Sequence, residues 1–401
     1  MEQAVILAGG LGERLRPLTD SIPKPLVPIE DKPFITYVIE DLRSKGISKF
    51  LLLTGYRSDL ISQYFEADHS ILCLETPQNF SKSERLLHAN VHINEEFLLL
   101  YGDNLIPENL ESFKPDNSDI QFTVTRKNPG NVELTPKSIN VRYFPERSTE
   151  LDYVELGYIG VKKTPLFKTL RKVQSLEEAF YVLANNNRAT ARVIQGPYFS
   201  VSDLSRFQIS KNAIKGKKII LIDRDGVINT RMPIGEYVTE VNKFEFIEEN
   251  IIGMQNLSKK GFTFVIVSNQ AGIARGHMSE SQLNKVNNFM INRLSEFGIT
   301  ILDLFICMHG WEEDCLCRKP RPGLLLEAAR KYNLFLKKAV FIGDDKRDVE
   351  AALAANSNPI FIGIKEDLGS LQNNVKSNVN VSLAMDDIIN VYERNNQIYA
   401  R

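Results

Sequence analysis

Short apolar runs alternate along this chain with longer segments of helical spacing. Residues 4–8, 50–54 and 97–101 are apolar runs of strand length in the first half, and 218–222, 264–268 and 339–342 are their counterparts in the second. Segments 34–45, 280–297 and 324–332 instead carry apolar residues at the intervals of one helix face. A strand covered by helices on both sides reads as an unbroken apolar run, so the alternation predicts α/β folds with mostly parallel sheets. At 401 residues the chain exceeds one ordinary core, and two domains are expected. The polar, lysine-rich stretch 210–217 is the expected linker. It separates a domain at 1–209 from one at 218–369, and an Asn- and Ser-rich extension follows at 370–401.

Ligands of such sheets bind beyond the carboxyl ends of the strands, and four strings in the second half fall at such ends or near them. Asp223-Arg224-Asp225-Gly226 follows the run Ile219-Ile220-Leu221-Ile222. Two carboxylates at this spacing suit phosphoryl transfer through an aspartyl-phosphate, with Asp223 as nucleophile. Asp225 would protonate the leaving alkoxide and later activate water, because an acid–base group must hold and release the same proton. In Val267-Ser268-Asn269-Gln270-Ala271-Gly272 the hydroxyl of Ser268 can bond a phosphoryl oxygen. The adjacent cations of Arg318-Lys319-Pro320 can offset charge on the transferred group. Phe341-Ile342-Gly343-Asp344-Asp345 ends another strand in carboxylates; Asp344 would complete a Mg²⁺ site with Asp223 and the backbone carbonyl of Asp225. Each string has a plainer reading: a capping Ser268, a solvated Arg318 and Lys319, a capping Asp345. Their common order favours the chemical one, except that Asp345 is expected to cap or to lie at the surface.

Composition narrows the field without choosing the chemistry. An apolar fraction of 43%, a charged fraction of 25% and a net charge of −1 give no sign of a nucleic-acid surface. No apolar stretch reaches spanning length and the start lacks a basic leader, so no membrane insertion and a cytoplasmic setting are expected. Of four cysteines, Cys307, Cys315 and Cys317 cluster with His309, and Cys73 stands apart. Three cysteines and a histidine make a standard tetrahedral zinc set. A closed zinc site there would brace the loop that delivers Arg318 and Lys319.

In the first half, a strand runs into Gly9-Gly10-Leu11-Gly12-Glu13-Arg14, a loop whose amides can cradle phosphate. With Pro17-Leu18-Thr19 and Pro23-Lys24-Pro25-Leu26, this string resembles the sugar-1-phosphate nucleotidyltransferases. The resemblance implies that Gly9, Gly10, Gly12 and Arg14 hold a nucleotide and that Lys24 contacts its phosphates. It also implies that Asp103, ending the string Leu98 to Asn104, binds Mg²⁺. Three departures stand against full agreement. Glu75 to Ser81 holds no glycine where the family has a second glycine-rich segment. Arg147 of Phe144-Pro145-Glu146-Arg147 replaces a lysine. Tyr198 to Asp203 puts no carboxylate clearly in register for a second metal ligand.

The four strings of the second half resemble the haloacid dehalogenase superfamily of phosphatases over roughly residues 217 to 365. The fold class is therefore α/β, with two doubly wound Rossmann-type domains: one nucleotidyltransferase-like, the other haloacid dehalogenase-like with a zinc loop. Cys307-Met308-His309 and Cys315-Leu316-Cys317-Arg318-Lys319-Pro320 are similar to the heptose-1,7-bisphosphate 7-phosphatases and to the related histidinol-phosphate phosphatases. The resemblance implies substrate contacts from Asn269, Gln270, Arg318 and Lys346; Asp345 stands where the heptose enzymes usually carry lysine. The fusion implies consecutive steps on sugar phosphates. A 7-phosphatase would act first, then a guanylyltransferase using GTP or another nucleoside triphosphate, making activated heptose for surface polysaccharide. A histidinol-phosphate phosphatase, or a first half that binds without turnover, are the alternatives.

Overall fold

The computed structural model describes residues 1–109, 113–115, 117–135, 140–233 and 235–393. They form two compact units that divide after Lys211, with 107–109 grouped with the second.

The first unit is built on a nine-stranded mixed sheet. Gln3–Leu7 lies at its centre, parallel to Lys49–Thr54 on one side and to Glu96–Tyr101 on the other. Ile71–Glu75 extends the parallel part, while Tyr153–Lys162 runs antiparallel against Glu96–Tyr101. The central strands are apolar on both faces, and Val5, Leu51, Phe97 and Leu99 are buried. Beyond them Phe122 stacks on Tyr143 with ring centroids 5.1 Å apart, and Phe180 meets both edge-on.

The second unit has six parallel strands in the order Ile301–Cys307, Thr263–Asn269, Ile219–Ile222, Val340–Gly343, Asn358–Ile362, Lys376–Asn378. The three strands predicted from apolar runs are neighbours at its middle, so their carboxyl ends share one rim.

Two expectations about boundaries change. The stretch 210–217 is no open linker, because the helix Leu204–Lys215 runs through most of it. Ser210, Ala213 and Ile214 are buried, and the Ser210 hydroxyl donates to the Ser200 carbonyl at 2.8 Å. The region after 369 is part of the second unit as far as Glu393. Lys376–Asn378 is the sixth strand, and Tyr392 of the helix Met385–Glu393 donates to the Ile219 carbonyl at 2.6 Å. Residues 394–401 of the expected extension lie outside the described residues. No helix among the described residues is long and apolar enough to cross a membrane.

Candidate functional site

In the second unit the strand ends build a cavity of about 390 Å³, lined by Asp223, Asp225, Ser268, Asn269, Arg318 and Lys319. All six were expected from sequence. Asp223 follows its strand directly, and its amide continues the ladder to the Ile342 carbonyl at 2.8 Å. Its Oδ1 accepts from the Arg224 amide at 2.7 Å and meets the Lys319 ammonium at 2.8 Å. One carboxylate oxygen is thus fixed and the other, Oδ2, carries no donor among the described residues.

Lys319 is 3% exposed and lies between two carboxylates, with Asp348 Oδ1 at 2.7 Å on its other side. It also donates to the Val267 carbonyl at 3.0 Å. Asn269 brackets its backbone: the Asn269 amide donates to the Lys319 carbonyl, and Asn269 Oδ1 accepts from the Lys319 N–H, both at 3.1 Å. Burial, together with Asp348 and Asp344, raises the Asp223 pKa against the pull of Lys319. Burial also pushes Asp344 up to about 7, although Arg231 at 2.9 Å favours its charge.

Asp223, Asp344 and Asp348 bring carboxylate oxygens within 4.8 Å of one another. Gly226 permits this, for a Cβ there would lie 1.7 Å from Asp344 Oδ2. Three crowded carboxylates, of which Asp223 and Asp344 have raised pKa values, are a donor set suited to a hard divalent cation. Asp348 has both oxygens engaged, by Lys319 and by the Asp345 amide at 3.0 Å. Asp223 and Asp344 are therefore the better ligands, and Asp348 fixes Lys319.

Asp225 is held by its neighbours. Arg224, itself fully buried, reaches the two carboxylate oxygens at 2.9 and 3.0 Å, Asn229 donates at 3.0 Å and Gln270 at 2.7 Å. Burial opposes its charge, but Arg224 and these hydrogen bonds outweigh it and lower the pKa.

Two expected substrate contacts are absent from this cavity. Gln270 is buried and spends its amide on Asp225 and Ser268, so it orients those side chains. Lys346 is exposed and lies 3.7 Å from Glu350, outside the cavity lining. The helix Lys346–Ala354 begins after its cap, Asp345, and that phase turns Arg347 into the cavity instead. Asp345 caps as its plainer reading expected; its carboxylate accepts from the Arg347 amide at 2.9 Å. Arg318 stays at the cavity, and its buried Nη1 has no hydrogen-bond partner among the described residues. The sequence reading missed Arg224, Arg231, Arg347 and Asp348. Of these only Asp348 left a signal, one helical turn after Asp344.

Cys307, His309, Cys315 and Cys317 converge, with all ligand atoms within 4.8 Å. Cys307 Sγ is 3.7 Å from Cys315 Sγ and 3.6 Å from His309 Nδ1. A tetrahedral ion about 2.3 Å from each sulfur spaces them by roughly 3.7 Å, so the set fits zinc. Between the two ligand pairs, Trp311 reaches the cavity mouth, where the Arg275 guanidinium lies 4.9 Å from its ring centre.

In the first unit Gly9, Gly10, Gly12, Arg14, Lys24 and Asp103 all line one cavity of about 890 Å³. The amides of Gly10, Leu11 and Gly12 have no acceptor among the described residues. Gly12 has φ +68°, and the Thr19 hydroxyl holds its carbonyl at 2.8 Å. Lys24 is ion-paired to Asp103. The Val201 amide donates to the Asp103 carbonyl at 3.0 Å, and Ser202 lines the cavity beside it. Asp203 instead caps the helix Leu204–Lys215, accepting from the Arg206 amide at 2.9 Å, which holds its pKa down at about 2. A second carboxylate ligand is therefore not supplied by this string.

Residues 3–128 match the nucleotidyl transferase family and residues 218–379 the polynucleotide kinase 3 phosphatase family. The D-glycero-alpha-D-manno-heptose-1,7-bisphosphate 7-phosphatase of Photorhabdus laumondii is 36% identical over 152 residues, which are 36% of this chain and 81% of that protein. The beta-anomer enzyme of Pseudomonas putida is 33% identical over 171 residues, 43% of this chain and 95% of that protein. A crystal structure of HddC from Yersinia pseudotuberculosis is similar at 19% identity and a TM-score of 0.44, covering 53% of this chain and all of that one. With at least 33% identity over aligned stretches that cover 81% and 95% of these two phosphatases, this chain belongs to the family of the D-glycero-D-manno-heptose-1,7-bisphosphate 7-phosphatases.

Proposed function

We propose that the second unit removes the 7-phosphate of D-glycero-D-manno-heptose 1,7-bisphosphate. The observation that carries this reading is Lys319, buried between Asp223 and Asp348 beside Ser268 in one cavity. Asp223 Oδ2 attacks phosphorus; the bond from phosphorus to the sugar oxygen breaks, and Asp225 gives that oxygen its proton. Water then attacks the aspartyl-phosphate, returns a proton to Asp225, and frees inorganic phosphate and Asp223. The lowered pKa of Asp225 suits the second, proton-accepting step. Negative charge arriving with the substrate raises that pKa for the first. Lys319, Arg318 and Ser268 hold the phosphoryl oxygens, and Asn269, Gln270 and Asp348 keep Lys319, Ser268 and Asp225 in place. Magnesium held by Asp223, Asp344 and the Asp225 carbonyl would neutralise charge on the phosphoryl group.

The first unit would then join heptose 1-phosphate to a nucleotide from GTP or another nucleoside triphosphate, with Lys24 and Asp103 at the phosphates. Both steps fit the cytoplasm, where sugar phosphates and nucleotides meet. Tyr198 to Asp203 brings Ser202 and no carboxylate to the cavity, which favours a second reading in which this unit binds a nucleotide without turnover. Incubating the chain with a panel of phosphate esters, nucleoside triphosphates and Mg²⁺, with phosphate and pyrophosphate followed separately, decides among these. Preference for heptose 1,7-bisphosphate is expected; preference for histidinol phosphate would sink the heptose reading. Failure to release pyrophosphate with every common nucleotide would leave the binding unit.

Zinc at the cysteine cluster makes a separate prediction. The purified chain should carry about one zinc per molecule. Replacing Cys315 by Ser should release it and lower phosphatase turnover by loosening the segment that leads to Arg318 and Lys319. A zinc-free preparation with full phosphatase activity in the presence of Mg²⁺ would remove the zinc from this account.

A further inference from the structure

Arg85 is a buried cation whose hydrogen-bond partners are all uncharged. It sits in the helix Lys82–His88 and is 5% exposed. Its guanidinium donates to the Thr54 carbonyl at 2.9 Å, to the Thr76 hydroxyl, to the Gln78 carbonyl at 3.1 Å and to the Gly9 carbonyl at 3.5 Å. The adjacent Glu84 turns its carboxylate to the Ser81 amide at 2.7 Å. No carboxylate lies within ion-pair distance of Arg85 among the described residues. A buried charge without a counter-charge is costly. This one lines the same cavity as the glycine loop and Lys24.

Its grip also sets the loop. The Gly9 carbonyl is held by Arg85 and by the Tyr56 amide at 3.4 Å. In a trans peptide the carbonyl and the next N–H point opposite ways, so the Gly10 amide is turned away from Arg85. Gly9 is required for this approach, since a Cβ there would lie 2.4 Å from Arg85 Nη1. The same guanidinium shapes the segment Glu75 to Ser81, which has no glycine to shape it.

We propose that Arg85 is a positioning residue for nucleoside triphosphate in the first unit. It ties together the end of Lys49–Thr54, the glycine loop and the 76–78 segment, and it supplies a fixed positive charge behind the loop that receives the phosphates. The inference rests on the reading that this cavity takes a nucleotide. The class of ligand is a polyanion on a nucleoside, and the charge makes Arg85 count more the more phosphates the ligand carries.

The test is calorimetric binding of the triphosphate and the monophosphate of each common nucleoside to the full chain and to Arg85→Gln and Arg85→Lys. Phosphate release by the second unit and circular dichroism serve as checks on folding. For Arg85→Gln, the triphosphate of whichever nucleoside binds should lose about tenfold or more in affinity and its monophosphate less than about threefold. The lysine variant should keep the preference for triphosphate. Equal losses for both ligands, or no loss, would overturn the proposal and leave the nucleotide reading standing. If the unaltered chain binds no nucleotide, that reading falls and this proposal with it. Should Arg85→Gln not fold, the lysine variant decides alone: a preference kept to within about threefold supports the charge role, and its collapse overturns it.

Discussion

Replacing Asp223 by asparagine is expected to cut phosphate release by about four orders of magnitude or more, while pyrophosphate release by the first unit is unchanged. Asparagine preserves the shape. Its carbonyl can still accept from the Arg224 amide and from Lys319, the two partners of Asp223 Oδ1. What it loses is the free Oδ2, the atom proposed to attack phosphorus. Folding should not suffer, because one of three crowded buried carboxylates becomes neutral and their mutual repulsion falls. Parallel assays of both products on the same preparation make the comparison. More than about 1% residual phosphatase activity, well above what is left when a nucleophile is lost, would deny Asp223 that role. Loss of both activities in a folded variant would contradict independent sites.

The strand ends that line the cavity were legible because burial writes itself into sequence. Ile219 to Ile222 is apolar throughout since helices cover both faces of its strand, so the first polar residues after it had to lie at the rim. The cluster of Cys307, His309, Cys315 and Cys317 was legible because these residues are close in sequence and chemically distinctive. What a rim side chain faces was not legible. Gln270 reads as a substrate contact, yet it is turned to Asp225 and Ser268, an outcome that depends on segments distant in sequence. Lys346 and Arg347 differ only in the phase of a helix whose start is set by the Asp345 cap. The supposed linker hid a helix because its buried face includes Ser210, a polar residue whose hydroxyl is satisfied by Ser200. The sixth strand, Lys-Ser-Asn at 376–378, read as tail because an edge strand carries polar residues that discourage further pairing. In the first unit the glycine loop was legible, whereas Arg85 was not, since no local pattern marks a cation buried among carbonyl oxygens.

Replacing Lys319 by methionine is expected to damage stability as well as activity. The side chain is of similar length and fills its space, but the ammonium between Asp223 at 2.8 Å and Asp348 at 2.7 Å is gone. Two buried carboxylates then face each other, with Asp344 close by and no cation between them. Removing one partner of a buried pair costs about 3–5 kcal/mol, because the charge left behind is unsolvated. Phosphatase turnover should fall by about 10²–10³-fold even in the folded fraction, since a fixed positive charge on the transferred phosphoryl group is lost. Trp311 is the chain's one tryptophan and lies in the second unit, so its fluorescence follows the unfolding of that unit. Added magnesium should stabilise the methionine variant more than the unaltered chain, because a divalent cation at Asp223 and Asp344 relieves part of the same repulsion. A variant that unfolds at the same denaturant concentration as the unaltered chain, with or without magnesium, would mean that Lys319 does not hold these carboxylates together in solution.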